Sequence, residues 1–209
     1  MKYLFFVAVF LVGTAIQVKA QNDPAAKKVL NEIGEKVKSA KGISAKFTLK
    51  SITSKGKPNA IKTGTLSMKG DKYLLKQGKT VIICDGSNVY NYDGNKTITK
   101  SSVEESSATL SPQKLLSGSY DNDFNYKLVS SKGPNYQIEM FPKDDRRSFQ
   151  KVDLFVNRLK HLVTKAVIFD KSNNKTVILI SDMNTAAKFP EGMFTFKRAN
   201  YPADAELLD

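Results

Sequence analysis

Cysteine and histidine are almost absent from this chain, which contains only Cys84 and His161. One cysteine excludes an intrachain disulfide, and one residue of each kind cannot supply the four ligands of a structural Cys/His zinc site. A Cys–His nucleophile pair is formally open, but His161 lies in the alternating run 159–163 and is predicted to be an ordinary strand residue. Cys84 ends an apolar run and is interpreted as a small buried hydrophobe.

Recognised catalytic motifs are absent as well. The sequence contains no nucleotide-binding loop, no H-E-x-x-H and no G-x-S-x-G. Asp144 and Asp145 precede two arginines and are typical of a solvated hairpin tip rather than of a catalytic carboxylate pair. The sequence therefore predicts a protein that is not an enzyme and that uses no cofactor or metal.

Only one long apolar run is present, residues 3–16, and it follows a positively charged start. Small residues precede position 21, where a signal peptidase would cut. We predict a signal peptide over residues 1–20, cleaved before Gln21, and an exported, periplasmic protein. The run is shorter than the ~20 residues that span a bilayer, and Gln21 is not a cysteine that could accept a lipid.

Negative charge is scarce relative to positive charge. The chain has 33 Lys and Arg against 20 Asp and Glu, a net charge of +13, of which +11 stays on residues 21–209. This remainder has a length typical of a single domain. Its charge favours anionic partners, either lipid headgroups or an acidic protein. Nucleic acid is disfavoured because the chain is predicted to be exported and its lysines are spread along the sequence.

Short apolar runs separated by turn residues are what the sequence has in abundance. Between residues 64 and 99 the breaks are clusters of Gly, Asp and Asn, which tolerate the positive φ of tight turns. Such short loops predict an antiparallel meander, because parallel strands need crossovers of about a dozen residues. The first half is predicted to form strands over 43–51, 61–68, 73–76, 80–84, 89–92 and 96–99.

The remaining segments predict helices and a second set of strands. Residues 25–39 carry an apolar stripe at helical spacing, and a polar link over 101–109 leads to a short helical segment at 111–118. We predict a mainly β fold with helices: an incomplete, strongly curved antiparallel β-barrel of about eleven strands. The second-half strands are 124–130, 135–141, 149–157, 159–170, 175–182 and a last short one at 194–196.

In this order of elements, the chain resembles the periplasmic outer-membrane lipoprotein carriers of the LolA type. The resemblance is carried by GTLSMKGDKYLLK at 64–76, CDGSNVYNYD at 84–93, SPQKLLSG at 111–118 and the long segment 167–202, which begins VIFDKSNNKTVILISDMN. With the amphipathic helix and the strand that contains Phe47, these segments cover nearly the whole of the predicted mature chain.

The resemblance implies a barrel closed by a helical lid around a cavity that holds lipoprotein acyl chains. The lid would present Val29, Leu30 and Ile33 from the first helix and Leu115 and Leu116 from the second. The cavity is expected to be lined by Phe47, Leu49, Leu66 and Met68, which pair at a spacing of two and so share one face of their strands, and by Leu74, Ile83, Tyr90, Met140 and Phe155. Core packing is the alternative role for each of them.

Lys69 marks a departure from the family pattern. Where the family usually has Arg-Pro, this chain has Lys69-Gly70. Lys69 is a candidate lid latch or headgroup contact, although it lacks the planar fork of donors that arginine offers. The resemblance also implies an inner-membrane lipoprotein exporter and an outer-membrane receptor as partners of a monomer. A periplasmic lipid or lipoprotein sensor that uses the same fold is the alternative function.

Overall fold

A computed structural model describes residues 22–108, 110–118 and 120–209, so the predicted signal peptide and its cleavage site before Gln21 lie outside the described residues. Helix α1 spans Pro24–Ser39. The carboxylate of Asp23 caps it by accepting a hydrogen bond from the Ala25 N–H at 2.8 Å. Pro24 suits the first helical turn because it has no N–H to satisfy. The predicted amphipathic helix is therefore confirmed, and its buried stripe is Ala26, Val29, Leu30 and Ile33.

A second, short helix, α2, spans Pro112–Leu116 and is capped by Ser111. Before it, part of the predicted polar link forms a 3-10 turn, Glu105–Ala108. Ser102 and Glu105 hold this turn reciprocally, since each side chain accepts a hydrogen bond from the other's backbone N–H, at 3.1 and 2.8 Å. Within the described ranges, no helix is both long and apolar enough to cross a membrane.

The strands of the described chain form one sheet of 12 strands. They are β1 Ile43–Ile52, β2 Pro58–Lys69, β3 Lys72–Gln77, β4 Thr80–Cys84, β5 Asn88–Tyr92, β6 Thr97–Ser102, β7 Phe124–Ser130, β8 Asn135–Pro142, β9 Phe149–Asn157, β10 Leu162–Asp170, β11 Lys175–Asn184 and β12 Glu206–Leu208. Their order is β12-β6-β5-β4-β3-β2-β1-β11-β10-β9-β8-β7. The predicted meander is confirmed in β2–β6, and a second one runs through β7–β11.

Strand β1 joins the two meanders. Phe47 lies opposite Gly64 of β2 on one side and opposite Ile180 of β11 on the other. The sheet does not close, because β12 and β7 are its two edges. The structure is thus a curved open barrel with helices, as predicted.

The β7 edge is covered by the residues that lead into α1. The Asp23 N–H donates to the Tyr126 carbonyl at 3.2 Å, and the Leu128 N–H donates to Asp23 Oδ2 at 2.9 Å. Asn22 Oδ1 accepts a further bond from the Tyr126 N–H at 3.0 Å. Residues at the start of α1 therefore form hydrogen bonds with backbone groups that an open edge would leave unpaired.

The predicted last strand, 194–196, is wrong. Those residues lie in an irregular segment, and β12 pairs instead, in parallel, with β6. Phe194 packs on Leu74 and Ile83, and the Phe196 ring stacks on Tyr90 at 4.2 Å between centroids. Their alternation therefore reflects contact with the outer face of the sheet rather than membership of it.

The strand assignment of His161 is also wrong. Strand β10 begins one residue later, and His161 lies in the β9–β10 turn with a φ of 52°. The Asn157 side chain shapes this turn by accepting hydrogen bonds from the N–H groups of Leu159 and Lys160, at 3.1 and 2.9 Å. The His161 Nδ1 atom lies 2.9 Å from Oε2 of Glu32 on α1. The turn chemistry of Asn157 thus outweighs the apolar alternation.

Candidate binding cavity

An apolar cavity of about 520 Å³ lies on the concave face of the sheet. Its size falls within the ~300–1,000 Å³ typical of small-molecule sites. Phe47, Leu49 and Leu66, three of the residues expected at a cavity from their sequence, form part of its wall. The other apolar side chains of the sheet wall are Ala45, Leu75, Ile82, Val89, Ile178 and Ile180.

The opposite wall of the cavity is the lid segment that contains α2. Leu110, Leu115 and Leu116 all line it. Leu115 and Leu116 are only 5% and 2% exposed, because they also pack into the main core with α1. The Ser111 Oγ caps α2 by accepting the Lys114 N–H at 3.1 Å, and the Tyr120 hydroxyl donates to the Leu115 carbonyl. Local hydrogen bonds therefore hold both leucines toward the cavity.

The α1 residues predicted for the lid are buried, but they lie behind α2 rather than at the cavity surface. Val29, Leu30 and Ile33 belong to the same core cluster as Leu115 and Leu116. The chain that follows α2 approaches α1 closely at Gly118, where an added Cβ would lie 2.3 Å from the Leu30 carbonyl oxygen. Gly118 also has a φ of 70°, which favours glycine.

Polar contacts fasten α2 to the rim of the sheet. Gln113 Nε2 donates to Oδ1 of Asp71 in the β2–β3 turn at 2.5 Å. The Lys114 ammonium pairs with the Asp123 carboxylate. Arg147, from the β8–β9 hairpin, donates to the same carboxylate at 3.0 Å.

Lys69 was the sequence-predicted candidate for a lid latch or a headgroup contact. Its side chain makes no hydrogen bond or ion pair within the part of the chain that the structure describes. It lines a second, more polar cleft of about 520 Å³, together with Lys38, Lys114 and Arg147. Both roles of Lys69, toward the lid and toward a headgroup, stay predictions.

The polar cleft and the apolar cavity adjoin each other, since Tyr73, Val89, Ser106 and Ser111 line both. Burial raises the pKa of Tyr73 to about 12, with a smaller contribution from Cys84 nearby, so the phenol stays neutral at ordinary pH. Cys84 lines the polar cleft, is buried, and has a raised pKa chiefly because of burial. A neutral thiol of this kind behaves as a small apolar group.

None of the other residues predicted for the cavity lies at its wall. Met68 lines the polar cleft, and Met140 is buried in the main core. Leu74, Ile83 and Tyr90 lie on the outer face, because their neighbours Leu75, Ile82 and Val89 point into the cavity. Phe155 also lies on the outer face, beneath the Lys165 ammonium at 4.5 Å from the ring centroid.

Leu75, Ile82, Ile178 and Ile180 line the cavity but were not chosen from the sequence. In β3 and β4 two adjacent apolar residues occupy positions 74–75 and 82–83, so alternation alone does not say which one faces inward. The cross-strand register shows which residue faces inward, because Leu75 and Ile82 pair with each other on the same side of the sheet as Leu66. That register could have been inferred by counting outward from the tight turns.

Comparison with known proteins places this geometry in a family. Residues 38–197 match the family model described as outer membrane lipoprotein carrier protein LolA. A comparison with curated proteins found no match.

Several solved structures are similar to this one. An uncharacterized conserved protein from Thermus thermophilus is 10% identical, with a TM-score of 0.57 and coverage of 88% of this chain and 98% of that one. A DUF1329 family protein from Desulfovibrio piger is 12% identical, with a TM-score of 0.50 and coverage of 86% and 99%. A LolA superfamily protein from Nitrosomonas europaea is 15% identical, with a TM-score of 0.48 and coverage of 82% and 97%. At these identities, the first two similarities show a shared fold.

Proposed function

The chain belongs to the LolA family, as its sequence resemblance predicted, and from that premise we propose that it is a periplasmic carrier of lipoproteins. It holds their acyl chains in the apolar cavity on the way from the inner to the outer membrane. The mature carrier begins at Gln21 after the signal peptide is removed, and it works as a monomer. An inner-membrane exporter loads it, and an outer-membrane receptor accepts its cargo.

The observation that carries this proposal is the apolar cavity between the curved sheet and α2. Phe47, Leu49 and Leu66 on one wall and Leu115 and Leu116 on the other present hydrocarbon surface to a space of about 520 Å³. Such a space suits acyl chains, whose burial is favourable by about 0.8 kcal/mol for each CH₂. The adjoining polar cleft offers room for the polar end of the cargo.

The energetics explain why this carrier needs a loading machine. In a membrane the acyl chains are already removed from water, so their transfer into the cavity gains little free energy. Loading must therefore be driven by the exporter. Unloading needs an acceptor that binds the chains at least as well as the carrier does. Binding and release of this kind require no covalent chemistry, which agrees with the prediction that the protein is not an enzyme.

A cavity-filling substitution tests the proposal. The Leu49→Trp variant should lose binding of a synthetic triacylated lipopeptide, because the indole would occupy the space of an acyl chain. Thr48→Trp is the matched control, since the neighbouring residue points to the outer face of the same strand. Mass spectrometry of lipid extracted from each protein after incubation gives the readout. Equal lipopeptide in both variants would refute the cavity assignment.

The sensor alternative would use the same cavity, so binding alone does not separate the two functions. A carrier releases its cargo to acceptor vesicles or to the outer membrane, whereas a sensor retains it and changes its contacts with another protein. Transfer of labelled lipopeptide from the loaded protein to outer-membrane vesicles is therefore the discriminating measurement. Retention of the cargo in the presence of these vesicles would favour the sensor.

A further inference from the structure

The two halves of the sheet differ in the side chains that cover their outer faces. Over β3–β5, the C-terminal segment covers the sheet with its own aromatic side chains. Phe194 packs on Leu74 and Ile83, and Phe196 stacks on Tyr90. Over β8–β10, the outward-facing aromatic rings are Phe141, Phe155 and Phe169, and lysine side chains lie over them.

Each of these three rings is paired with a lysine on a neighbouring strand. The Lys165 ammonium lies 4.5 Å from the Phe155 centroid, and those of Lys151 and Lys175 lie 4.4 and 5.5 Å from the Phe169 centroid. Lys127 lies 5.9 Å from the Phe141 centroid. Roughly one significant cation–π contact is expected per 70–80 residues, so this concentration on one face is unusual. We call Phe141, Phe155, Phe169, Lys127, Lys151, Lys165 and Lys175 the lysine–phenylalanine face.

The carboxylates on this face already form ion pairs with some of its lysines. Glu139 pairs with Lys127 at 3.0 Å and with Lys151 at 3.2 Å, and Asp153 pairs with Lys151 at 3.1 Å. In the described residues, no carboxylate pairs with Lys165 or Lys175. The face therefore carries an excess of positive charge beside partly exposed aromatic rings, of which Phe141 is 38% exposed.

We propose that the lysine–phenylalanine face docks the protein on an anionic lipid surface. Lysine is depleted at protein–protein interfaces, which makes an acidic protein the poorer fit. Clustered lysines are attracted to anionic headgroups, and phenylalanine rings bury at the boundary between headgroups and acyl chains. On contact, the ammonium groups leave the rings for lipid phosphates, and the uncovered rings meet the headgroup region. This docking goes beyond the proposed carriage of acyl chains, because it uses the face opposite the cavity.

The test is flotation of the mature chain with vesicles of phosphatidylcholine alone or mixed with equimolar phosphatidylglycerol. We expect binding to the anionic vesicles only, and less of it as salt increases. Lys165→Glu with Lys175→Glu should weaken this binding by about tenfold or more. Lys188→Glu with Lys197→Glu is the matched control, because it changes the net charge equally on exposed lysines of the C-terminal segment. The control should bind within about twofold of the wild type.

Several outcomes would overturn the proposal. Equal weakening by both double variants would mean that net charge alone attracts the protein. Binding to soluble polyglutamate without binding to the vesicles would indicate an acidic protein partner. Loss of binding in Leu159→Ser, with normal binding in the Lys165/Lys175 variant, would assign contact to the β9–β10 turn, where Leu159 is 92% exposed. The assay contains no lipoprotein, so its failure and a failure of the carrier function are separate results.

Discussion

Gly64 shows how one missing side chain shapes the cavity wall. An added Cβ would lie 2.2 Å from the Lys76 carbonyl oxygen and 2.3 Å from Cζ of Phe47. Glycine at this position therefore lets β3 approach and lets the Phe47 ring lie flat against β2, where it faces the cavity. The glycine is a packing requirement and not a turn signal.

We expect Gly64→Ala to lower the free energy of unfolding by about 1–3 kcal/mol, because a backbone oxygen cannot move aside without disturbing the β2–β3 pairing. For a domain of this size, each kcal/mol corresponds to a fall in Tm of roughly 2–4 °C. Thermal unfolding followed by circular dichroism measures the change. Thr65→Ala, at an exposed neighbour on the other face, should change the Tm little. An unchanged Tm in Gly64→Ala would show that the sheet can widen at this point.

Asp23 links the start of the lid helix to the sheet edge. The Leu128 N–H hydrogen bond lowers the pKa of its carboxyl below 3.8; partial burial opposes this change, and the Ala25 N–H reinforces it. Since the folded pKa is lowered, the charged carboxylate stabilises the fold at pH values above the unfolded pKa. That contribution is lost as the pH falls through the folded value.

We therefore expect Asp23→Ala to destabilise the protein by about 1 kcal/mol near neutral pH, as loss of a helix cap does. The difference from the wild type should narrow as the pH falls below 3.8. Urea unfolding at a series of pH values measures this difference in the free energy of unfolding. Asp23→Asn keeps a capping oxygen and should lose less stability. A difference that stays constant down to the lowest pH would contradict the role of the charge.

At the scale of residues, the facing of a side chain follows from the sequence where apolar and polar residues alternate strictly. Phe47, Leu49 and Leu66 alternate with polar residues, so period two alone placed them on the concave wall. Alternation did not predict the facing of Leu74, Ile83 and Tyr90. Leu74 and Ile83 each have an adjacent apolar residue that could equally face inward, and Tyr90 stacks on the Phe196 ring outside the sheet. Both faces of β3–β5 are apolar because the C-terminal segment covers the outer one.

At the scale of elements, α2 is the part of the lid that contacts both the cavity and the rim. It is five residues long, so it depends on tertiary contacts for its stability. Those contacts are the two buried leucines, the Gln113–Asp71 hydrogen bond and the Lys114–Asp123 ion pair. Hydrogen bonds and ion pairs at a partly exposed rim are weak enough to break when cargo enters.

Cross-linking α2 to the rim should therefore block loading. Gln113→Cys and Asp71→Cys, made with Cys84→Ser and joined by a short bis-maleimide, should abolish lipopeptide uptake while the Tm stays at or above that of the uncross-linked protein. The control pair is Lys127→Cys with Glu139→Cys on β7 and β8, whose side chains already meet at 3.0 Å on the outer face. Uptake at the normal rate after cross-linking at Gln113 and Asp71 would show that α2 is not the gate.

At the scale of the whole molecule, a cavity that binds cargo couples binding to stability. A ligand that binds only the folded state at about 100 times its Kd adds roughly 2.7 kcal/mol to the free energy of unfolding. We expect saturating triacylated lipopeptide to raise the Tm by about 5–10 °C. The same peptide without acyl chains should have no effect. A Tm shift of equal size with the unacylated peptide would contradict acyl-chain binding. Sedimentation should show a monomer with and without the lipopeptide.

The sequence by itself determined most of the elements and their order. Asp23 and Pro24 mark the start of α1, and the turns rich in Gly, Asp and Asn separate the strands of the meander at nearly the observed positions. These features are local: a cap or a tight turn depends on residues a few positions apart, and period two follows from the pleat. Short loops also excluded a parallel sheet for the meanders before any contact was known.

Only the tertiary structure decided which face of each strand is covered and by what. The C-terminal segment lies on the outer face and β12 pairs in parallel with β6, through contacts between residues about 100 positions apart. The fastening of α2 to Asp71 and Asp123 and the contact of His161 with Glu32 likewise join distant parts of the chain. No local sequence pattern encodes such pairings. Each depends on how the whole sheet curves and on which hydrophobic surface the curved sheet leaves exposed to water.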